Sequence, residues 1–252
     1  MDIFLLQVPD RVSISKAVKI LVASIKYPLI LVNFKTYVES QGAQAVSIAR
    51  VSEKISGEYG VCIAVAPQIV DIPIVATAAS IPIFSQHVDS ELPGAHTGYV
   101  TPESVIAAGA GGSILNHSER RLRIDQIEGA IVRCRSVGLL TCLCANTSAV
   151  GLSLSILEPD MIAVEPPELI GSGISVSKAK PEIISKSVRM IKAANKSVHV
   201  LCGAGITKGE DVAASIKLGA EGVLVASGVV KAKNPKAVLE DFAKSLSCTI
   251  KA

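Results

Sequence analysis

The chain has 252 residues, of which 49% are apolar, 19% are charged and 3% are aromatic. This composition excludes an intrinsically disordered chain and supports a large aliphatic core. The length fits either two average domains or one α/β barrel. The net charge is +3 and the basic residues are scattered, which argues against nucleic-acid binding, because that function needs clustered basic residues and stacking aromatics.

The cysteines and the apolar segments predict a cytoplasmic protein without a membrane span. No CxxC pair occurs, and several of the six cysteines lie inside apolar runs, which is typical of buried free thiols in a reducing compartment. Residues 136–157 carry no charge, but Asn146, Thr147 and several serines interrupt them, so a strand followed by a helix is predicted there. The run Ile3–Leu6 is too short for the apolar region of a signal peptide.

Residues 1–27 precede the first predicted strand and are predicted to be an N-terminal extension. Its apolar residues at helical spacing are Ile14, Val18, Leu21, Val22 and Ile25. They are compatible with an appended helix, and a reading frame that begins upstream of the natural start is the other interpretation. Residues 28–252 contain no linker, charge block or low-complexity tract, so we expect them to form a single domain.

Eight short apolar runs follow, spaced about one βα unit apart, and predict eight strands. The runs are Leu29–Val32, Val61–Ala66, Ile81–Ser85, Ser113–Leu115, Leu139–Cys144, Met161–Val164, Val198–Leu201 and Val223–Ala226. Runs that are apolar at nearly every position are typical of parallel strands covered on both faces.

Stretches compatible with helices lie between these runs. They include Gln44–Ile55 before Gly57, Ile124–Val137 before Gly138, and Pro181–Ala194, whose proline suits a first helical turn. Eight alternating strands and helices allow a closed barrel or a doubly wound open sheet. The even unit size and the lack of GxGxxG after the first run favour a (β/α)8 barrel.

Polar residues directly follow three of the runs, where such barrels carry their chemistry. Lys35 follows the first run, His117 the fourth and Glu165 the sixth. Each one alone could be an ordinary loop residue. Because a barrel brings the carboxyl ends of its strands together, we expect the three side chains to share one site.

The segment after Glu165 has the composition of a lid over a carboxylate base. Pro166 and Pro167 stiffen its start, and Gly171 and Gly173 allow motion further along. A structural role for Glu165 would require a buried cationic partner, and none is evident nearby in the sequence.

His117 is followed by Ser118, a favourable helix N-cap, and by Glu119 as a first-turn acid. A helix that begins there would disfavour the imidazolium, so we expect a neutral His117 that donates a hydrogen bond. A structural histidine that caps the helix is the alternative interpretation.

Glycines after the last two runs predict a phosphate cradle. Gly203-Ala204-Gly205 follows the seventh run and Ser227-Gly228 the eighth, which are the usual phosphate positions in such barrels. Glycines let backbone N–H groups approach an anion, and the following helix termini add positive dipole ends. The four histidines are widely spaced, with no HxH or HExxH pattern, so no metal or other cofactor is expected.

Five motifs, in order over about residues 28–250, resemble the triosephosphate isomerase family, most closely its shorter archaeal form. They are Asn33-Phe34-Lys35, the stretch from Asn116 to Arg121, the stretch from Ala163 to Gly173, the stretch from Gly203 to Ile206, and the stretch from Val225 to Gly228. The resemblance implies a TIM barrel that interconverts glyceraldehyde 3-phosphate and dihydroxyacetone phosphate in glycolysis and gluconeogenesis.

The resemblance also assigns roles to individual residues. It implies that Glu165 moves a proton between adjacent carbons, that neutral His117 polarises the carbonyl, and that Lys35 offsets negative charge, with Glu119 as a second carboxylate nearby. The implied substrate contacts are Asn33, Phe34, Lys35, Ile170, Gly171, Gly205, Ala226 and Ser227. The implied lid would protect the intermediate from losing phosphate to water.

The resemblance further implies a homo-oligomer, with a tetramer favoured and a dimer possible. The Gln86–Gly98 loop resembles the subunit-contact loop of the family. Other functions stay open: a sugar-phosphate epimerase, which would need metal-ligating histidines; an aldolase, which would need a lysine where Glu165 stands; or a phosphate-binding barrel without catalysis.

Overall fold

The computed structural model describes residues 25–167 and 181–251, and its eight strands are parallel. The strands are β1 Leu29–Asn33, β2 Cys62–Ala66, β3 Phe84–Ser85, β4 Gly112–Leu115, β5 Leu140–Ala145, β6 Met161–Val164, β7 His199–Cys202 and β8 Gly222–Val225. Sequence neighbours pair with each other, and β1 also pairs with β8. Between β2 and β3 the pairing is reduced to the bridge Val65–Ile83, so the ring is nearly closed. The predicted barrel is confirmed.

Helices in the described residues follow the strands around the outside. They are α1 Ala43–Tyr59, α2 Ile72–Ala78, α3 Pro102–Ala107, α4 Ile124–Val137, α5 Ser148–Ser155, α6 Pro181–Ala194, α7 Gly209–Lys217, α8 Ser227–Val230 and α9 Pro235–Lys251. The predicted bounds of α4 and α6 are confirmed. Helix α1 instead runs through Gly57 and ends at Gly60, whose φ of +67° provides the left-handed C-terminal turn. None of the described helices is long and apolar enough to cross a membrane.

The core has two layers because the strands alternate their side chains. In β1, Leu29 and Leu31 belong to a cluster inside the barrel, whereas Ile30 and Val32 pack outwards against the helices. All four side chains are fully buried. This double burial explains why the strands read as unbroken apolar runs.

The same period of two determines which polar residues reach the site. Met161 and Ala163 of β6 belong to the inner cluster, so Glu165 is the next residue in the inward register. Asn33 follows Leu29 and Leu31 in the same way. We call the end of the barrel that carries Asn33, Lys35, His117, Glu119 and Glu165 the carboxyl mouth.

The opposite end of the barrel holds a second polar cluster. We call it the amino mouth, defined by Tyr27, Thr141, Asp160, Lys192, His199 and Glu221. The Tyr27 ring stacks on the His199 ring with centroids 3.6 Å apart, and Ile25 packs beside them against the inner cluster. Two residues of the predicted extension therefore contact the barrel, and residues 1–24 lie outside the described part.

Candidate active site

Lys35 stands just past β1 in a backbone conformation that few lysines adopt. Its φ is +49°, in the left-handed region. The backbone N–H of Lys35 donates to Asn33 Oδ1 at 2.9 Å, and the Gln86 side chain donates to the Lys35 carbonyl at 2.8 Å and to the Ala66 carbonyl at 3.0 Å. Such conformations persist where the surroundings over-determine them. These bonds therefore hold the Lys35 backbone in its strained form.

The Lys35 ammonium group is paired across the mouth. Its Nζ lies 2.8 Å from Glu119 Oε1, in the turn after β4. The Lys35 side chain is 14% exposed and that of Glu119 is 62% exposed. Because Glu119 is largely in water, this pair is weak enough to rearrange when an anion enters.

His117 lies in a turn after β4 rather than at the start of a helix. The prediction that Ser118 caps a helix is wrong, because α4 begins at Ile124 and Arg123 is its N-cap. The backbone N–H of Glu119 donates to His117 Nδ1 at 3.2 Å. That bond requires Nδ1 to be an acceptor, so the proton of the neutral ring is on Nε2. The acceptor role of His117 Nδ1 thus depends on one peptide group and not on a helix terminus.

Glu165 is a buried carboxylate beside His117. It is 3% exposed, its N–H donates to the Ala145 carbonyl at 2.7 Å, and its Oε1 lies 3.3 Å from His117 Nε2. Its Oε2 is buried and has no hydrogen-bond partner among the described residues. A buried polar atom without a partner is costly, and this one is available to accept a proton.

Gly203, the first residue past β7, makes room for Glu165. A Cβ atom at Gly203 would lie 2.6 Å from Glu165 Cγ and 3.1 Å from the Val164 carbonyl oxygen. Real Cβ atoms essentially never come as close as 2.6 Å, so a side chain at this position would displace Glu165.

The thiols inside the barrel stay protonated. Cys142 and Cys144 both belong to the inner cluster, and all six cysteines of the chain are free. Burial raises the pKa of Cys144, and the nearby charge of Glu165 raises it further. Burial also raises the pKa of Cys134 to about 12 and of Cys202 to about 11. Cys62 is half-buried and Cys248 is exposed, so the prediction of buried thiols holds for four of the six.

The loops after β7 and β8 contact each other, as a shared anion site requires. Gly205 has a φ of +72°, and a Cβ atom at Gly228 would lie 3.2 Å from the Ile206 carbonyl oxygen. Ala226 is the N-cap residue of α8, which starts at Ser227. The first N–H groups of a helix have no partner within it and can bind an anion.

Asp211 holds the loop after β7 in place. Its Oδ2 accepts hydrogen bonds from the Thr207 backbone at 2.9 Å, the Thr207 hydroxyl at 2.8 Å and the Lys208 backbone at 3.2 Å. The loop that carries Gly205 is therefore fixed at its far end.

Not every predicted contact residue reaches the carboxyl mouth. The Phe34 side chain is fully buried in the outer layer of the core, so only its backbone borders the site. Ile170 and Gly171, with the predicted lid, lie outside the described residues. Asn33, Lys35, His117 and Glu119 line a cleft of about 360 Å³ together with Gln86 and His87.

Three residues shape the site in ways that the sequence did not lead us to predict. Gln86, Asn116 and Gly203 are each the first residue past a strand, the position that Glu165 also occupies. The position directly after a predicted strand is therefore a sequence feature that could have identified these residues. Within the described residues, no group of three or more His, Cys, Asp or Glu side chains could hold a metal ion.

Comparisons with known proteins agree with this geometry. The family model for triosephosphate isomerase matches residues 28–245. The triosephosphate isomerase of Methanocaldococcus jannaschii is 50% identical over 86% of this chain and 99% of its own length. That of Methanosarcina acetivorans is 51% identical over 85% of this chain and 97% of its own. That of Methanobrevibacter smithii is 46% identical over 87% and 99%. The chain therefore belongs to the triosephosphate isomerase family.

Proposed function

We propose that this protein interconverts D-glyceraldehyde 3-phosphate and dihydroxyacetone phosphate, as a step of glycolysis and gluconeogenesis. The observation that carries the proposal is the buried Glu165 carboxylate beside His117. One of its oxygens has no hydrogen-bond partner among the described residues, and the other lies 3.3 Å from His117 Nε2. A base and a hydrogen-bond donor at one point are what proton transfer next to a carbonyl group requires.

Glu165 is the proposed base. It takes a proton from the hydroxymethyl carbon of dihydroxyacetone phosphate and returns it to the neighbouring carbon, which becomes C2 of the aldehyde. The electron pair left by the first transfer moves onto the carbonyl oxygen and creates an enediolate. The carboxylate is buried, so bulk water does not compete with the substrate for contact with it.

His117 is the proposed donor to the developing enediolate oxygen. A preorganised N–H group stabilises charge that appears in the transition state more than it stabilises the ground state. The same ring can pass the hydroxyl proton from one oxygen to the other, so the two oxygens exchange roles while the carbon skeleton stays intact.

Lys35 and the two glycine loops are proposed to bind the anionic part of the substrate. Lys35 leaves its exposed partner Glu119 when the substrate charge arrives. The backbone N–H groups around Gly205, Ala226 and Ser227 bind the phosphate group. Asn33 and the backbone of Phe34 line the bottom of the substrate site. Ile170 and Gly171 remain the predicted lid contacts.

A direct assay tests the reaction. Purified protein should convert either triose phosphate into the other without added metal or cofactor. In deuterated water, dihydroxyacetone phosphate should acquire deuterium at its hydroxymethyl carbon, because the proton held by Glu165 exchanges with solvent. Folded protein without turnover would overturn the proposal, and cleavage or epimerisation of a larger sugar phosphate would favour the aldolase or the epimerase.

Exposed apolar side chains bear on the assembly, and the cysteines bear on the cellular location. We propose a homo-oligomer, with a tetramer favoured, because Val70, Leu92 and Tyr99 near the carboxyl mouth are 80%, 62% and 52% exposed. Light scattering would decide between a monomer, a dimer and a tetramer. A cytoplasmic location agrees with six free cysteines, four of them buried.

A further inference from the structure

Asn116 combines an unusual backbone with a side chain whose nitrogen and oxygen are both hydrogen-bonded. It is the first residue past β4 and has a φ of +56°, which few residues other than glycine, asparagine and aspartate adopt. It is only 7% exposed. His117, the proposed donor, is the next residue along the chain.

The side-chain amide of Asn116 takes the place of a backbone group in the hydrogen-bond ladder between β4 and β5. Strand β4 pairs with β5 up to Leu115 and Leu143, so the next rung would set Asn116 opposite Cys144. Instead of a backbone group, the Asn116 side chain supplies this rung: its Nδ2 donates to the Cys144 carbonyl at 3.0 Å. Arg121 Nη1 donates to the same carbonyl at the longer distance of 3.4 Å, so the Asn116 amide is its shorter partner where the backbone turns away from the sheet.

The other polar atoms of Asn116 anchor the far side of the turn. Its Oδ1 accepts from the Leu122 backbone N–H at 3.0 Å, and its carbonyl accepts from Arg121 Nη1 at 2.7 Å. The turn from His117 to Arg120 is thus clamped at both ends by one residue. The His117 imidazole, with Nε2 at 3.3 Å from Glu165 Oε1, is carried by that turn.

We propose that Asn116 is a positioning residue, whose side-chain amide replaces one rung of the β4–β5 ladder and so aims His117 at the reacting atoms. This inference rests on the proposed isomerase function. Glycine would allow the backbone turn but supply no amide. Aspartate would keep the acceptor for Leu122 but place a carboxylate oxygen against the Cys144 carbonyl.

The test compares Asn116→Gly with Asn195→Gly. Asn195 is a matched control because its amide makes the same kinds of bonds, accepting from the Ser197 backbone N–H at 3.0 Å and donating to the Ser155 carbonyl at 3.3 Å. It lies just past α6, outside the carboxyl mouth. Each variant loses one bridging amide, so a difference in kcat between the two variants isolates the effect on His117.

We expect Asn116→Gly to lower kcat about 100-fold, because displacements near 1 Å cost this much in catalysis. Its KM should stay within about twofold, since the phosphate-binding loops are untouched. Asn195→Gly should keep both constants. A kcat of Asn116→Gly equal to that of wild type would overturn the inference, as would a rise in KM without a fall in kcat.

Asn116→Asp covers the case in which Asn116→Gly does not fold. It keeps the left-handed backbone and the Leu122 bond, and should lose kcat in the same way. If both variants lose the circular dichroism of the barrel, Asn116 determines folding and the positioning role is rejected. Inactive wild-type protein would instead contradict the proposed function itself, so the two failures are distinguishable.

Discussion

The two mouths of the barrel are built from opposite ends of the same strands, yet their carboxylates differ in how completely they are hydrogen-bonded. At the amino mouth, Glu221 accepts hydrogen bonds from Lys192 at 2.6 Å and His199 at 2.9 Å. Asp160 accepts from the Thr141 backbone and hydroxyl at 2.8 and 2.9 Å. At the carboxyl mouth, one oxygen of the Glu165 carboxylate has no hydrogen-bond partner among the described residues.

The pKa of Glu221 reflects the satisfied state of the amino mouth. Burial alone would raise this pKa, but the hydrogen bonds from Lys192 and His199 outweigh burial and lower it. Charge at the amino mouth is therefore neutralised within the protein and contributes to the free energy of unfolding. At the carboxyl mouth, burial of the incompletely hydrogen-bonded Glu165 carboxylate costs free energy, and a bound substrate can offset this cost. Enzymes commonly give up stability for activity in this way.

The largest expected effect is that of Glu165→Gln. Loss of the base should lower kcat by about 10³- to 10⁴-fold, the range for general-base catalysis. Because the change removes an incompletely paired buried charge, the melting temperature should stay the same or rise. Turnover and calorimetry measure the two effects. Near-wild-type kcat would show that Glu165 is not the base.

His117→Gln comes next, with an expected loss of about 10²- to 10³-fold in kcat, as for the removal of one oxyanion donor. His199→Gln at the amino mouth is the matched control and should keep kcat while lowering the melting temperature. Equal losses of kcat in the two histidine variants would contradict the proposal that only the carboxyl mouth carries the chemistry.

Gly203→Ala tests whether Glu165 needs the space beside it. The new methyl group would collide with Glu165 Cγ at 2.6 Å and displace the carboxylate, so kcat should fall about 100-fold. Gly57→Ala is the control, because a Cβ atom there meets nothing within 4 Å and lies in α1. It should raise the free energy of unfolding by about 1 kcal/mol without changing kcat. A fully active Gly203→Ala enzyme would refute the steric argument.

The smallest effect concerns Glu221→Gln, which should keep kcat and lower the free energy of unfolding by up to about 1 kcal/mol at neutral pH. Since folding lowers the pKa of Glu221, its contribution is present above the ordinary carboxyl pKa and disappears as the pH falls through the lowered value. Denaturant unfolding of both proteins at several pH values should show their difference narrowing on acidification. A difference that widened would contradict this sign.

Most of the fold could be predicted from the sequence, because the signals for its strands and helices lie within short segments of the chain. Each strand core coincides with an apolar run because both faces of each strand are buried, and the bounds of α4 are marked by Gly138, with a φ of +78°. The prediction of a further helix start at Ser118 is wrong, since a good N-cap residue does not compel a helix when tertiary contacts hold a turn instead. That turn is held by Asn116, which bonds to a strand 28 positions away.

The sequence by itself determined the order of the strands, the inward register and hence the residues that stand at the carboxyl mouth, because the period of two continues from Met161 and Ala163 to Glu165. Only the tertiary structure decided which of their atoms are paired. Three features depend on atomic positions to within a few tenths of an ångström: the contact of Gly203 with Glu165, the bond from the Glu119 N–H to the His117 ring, and the Asn116 amide in the place of a ladder rung. Such distances arise from the packing of segments far apart in the chain, and no local pattern of residues encodes them.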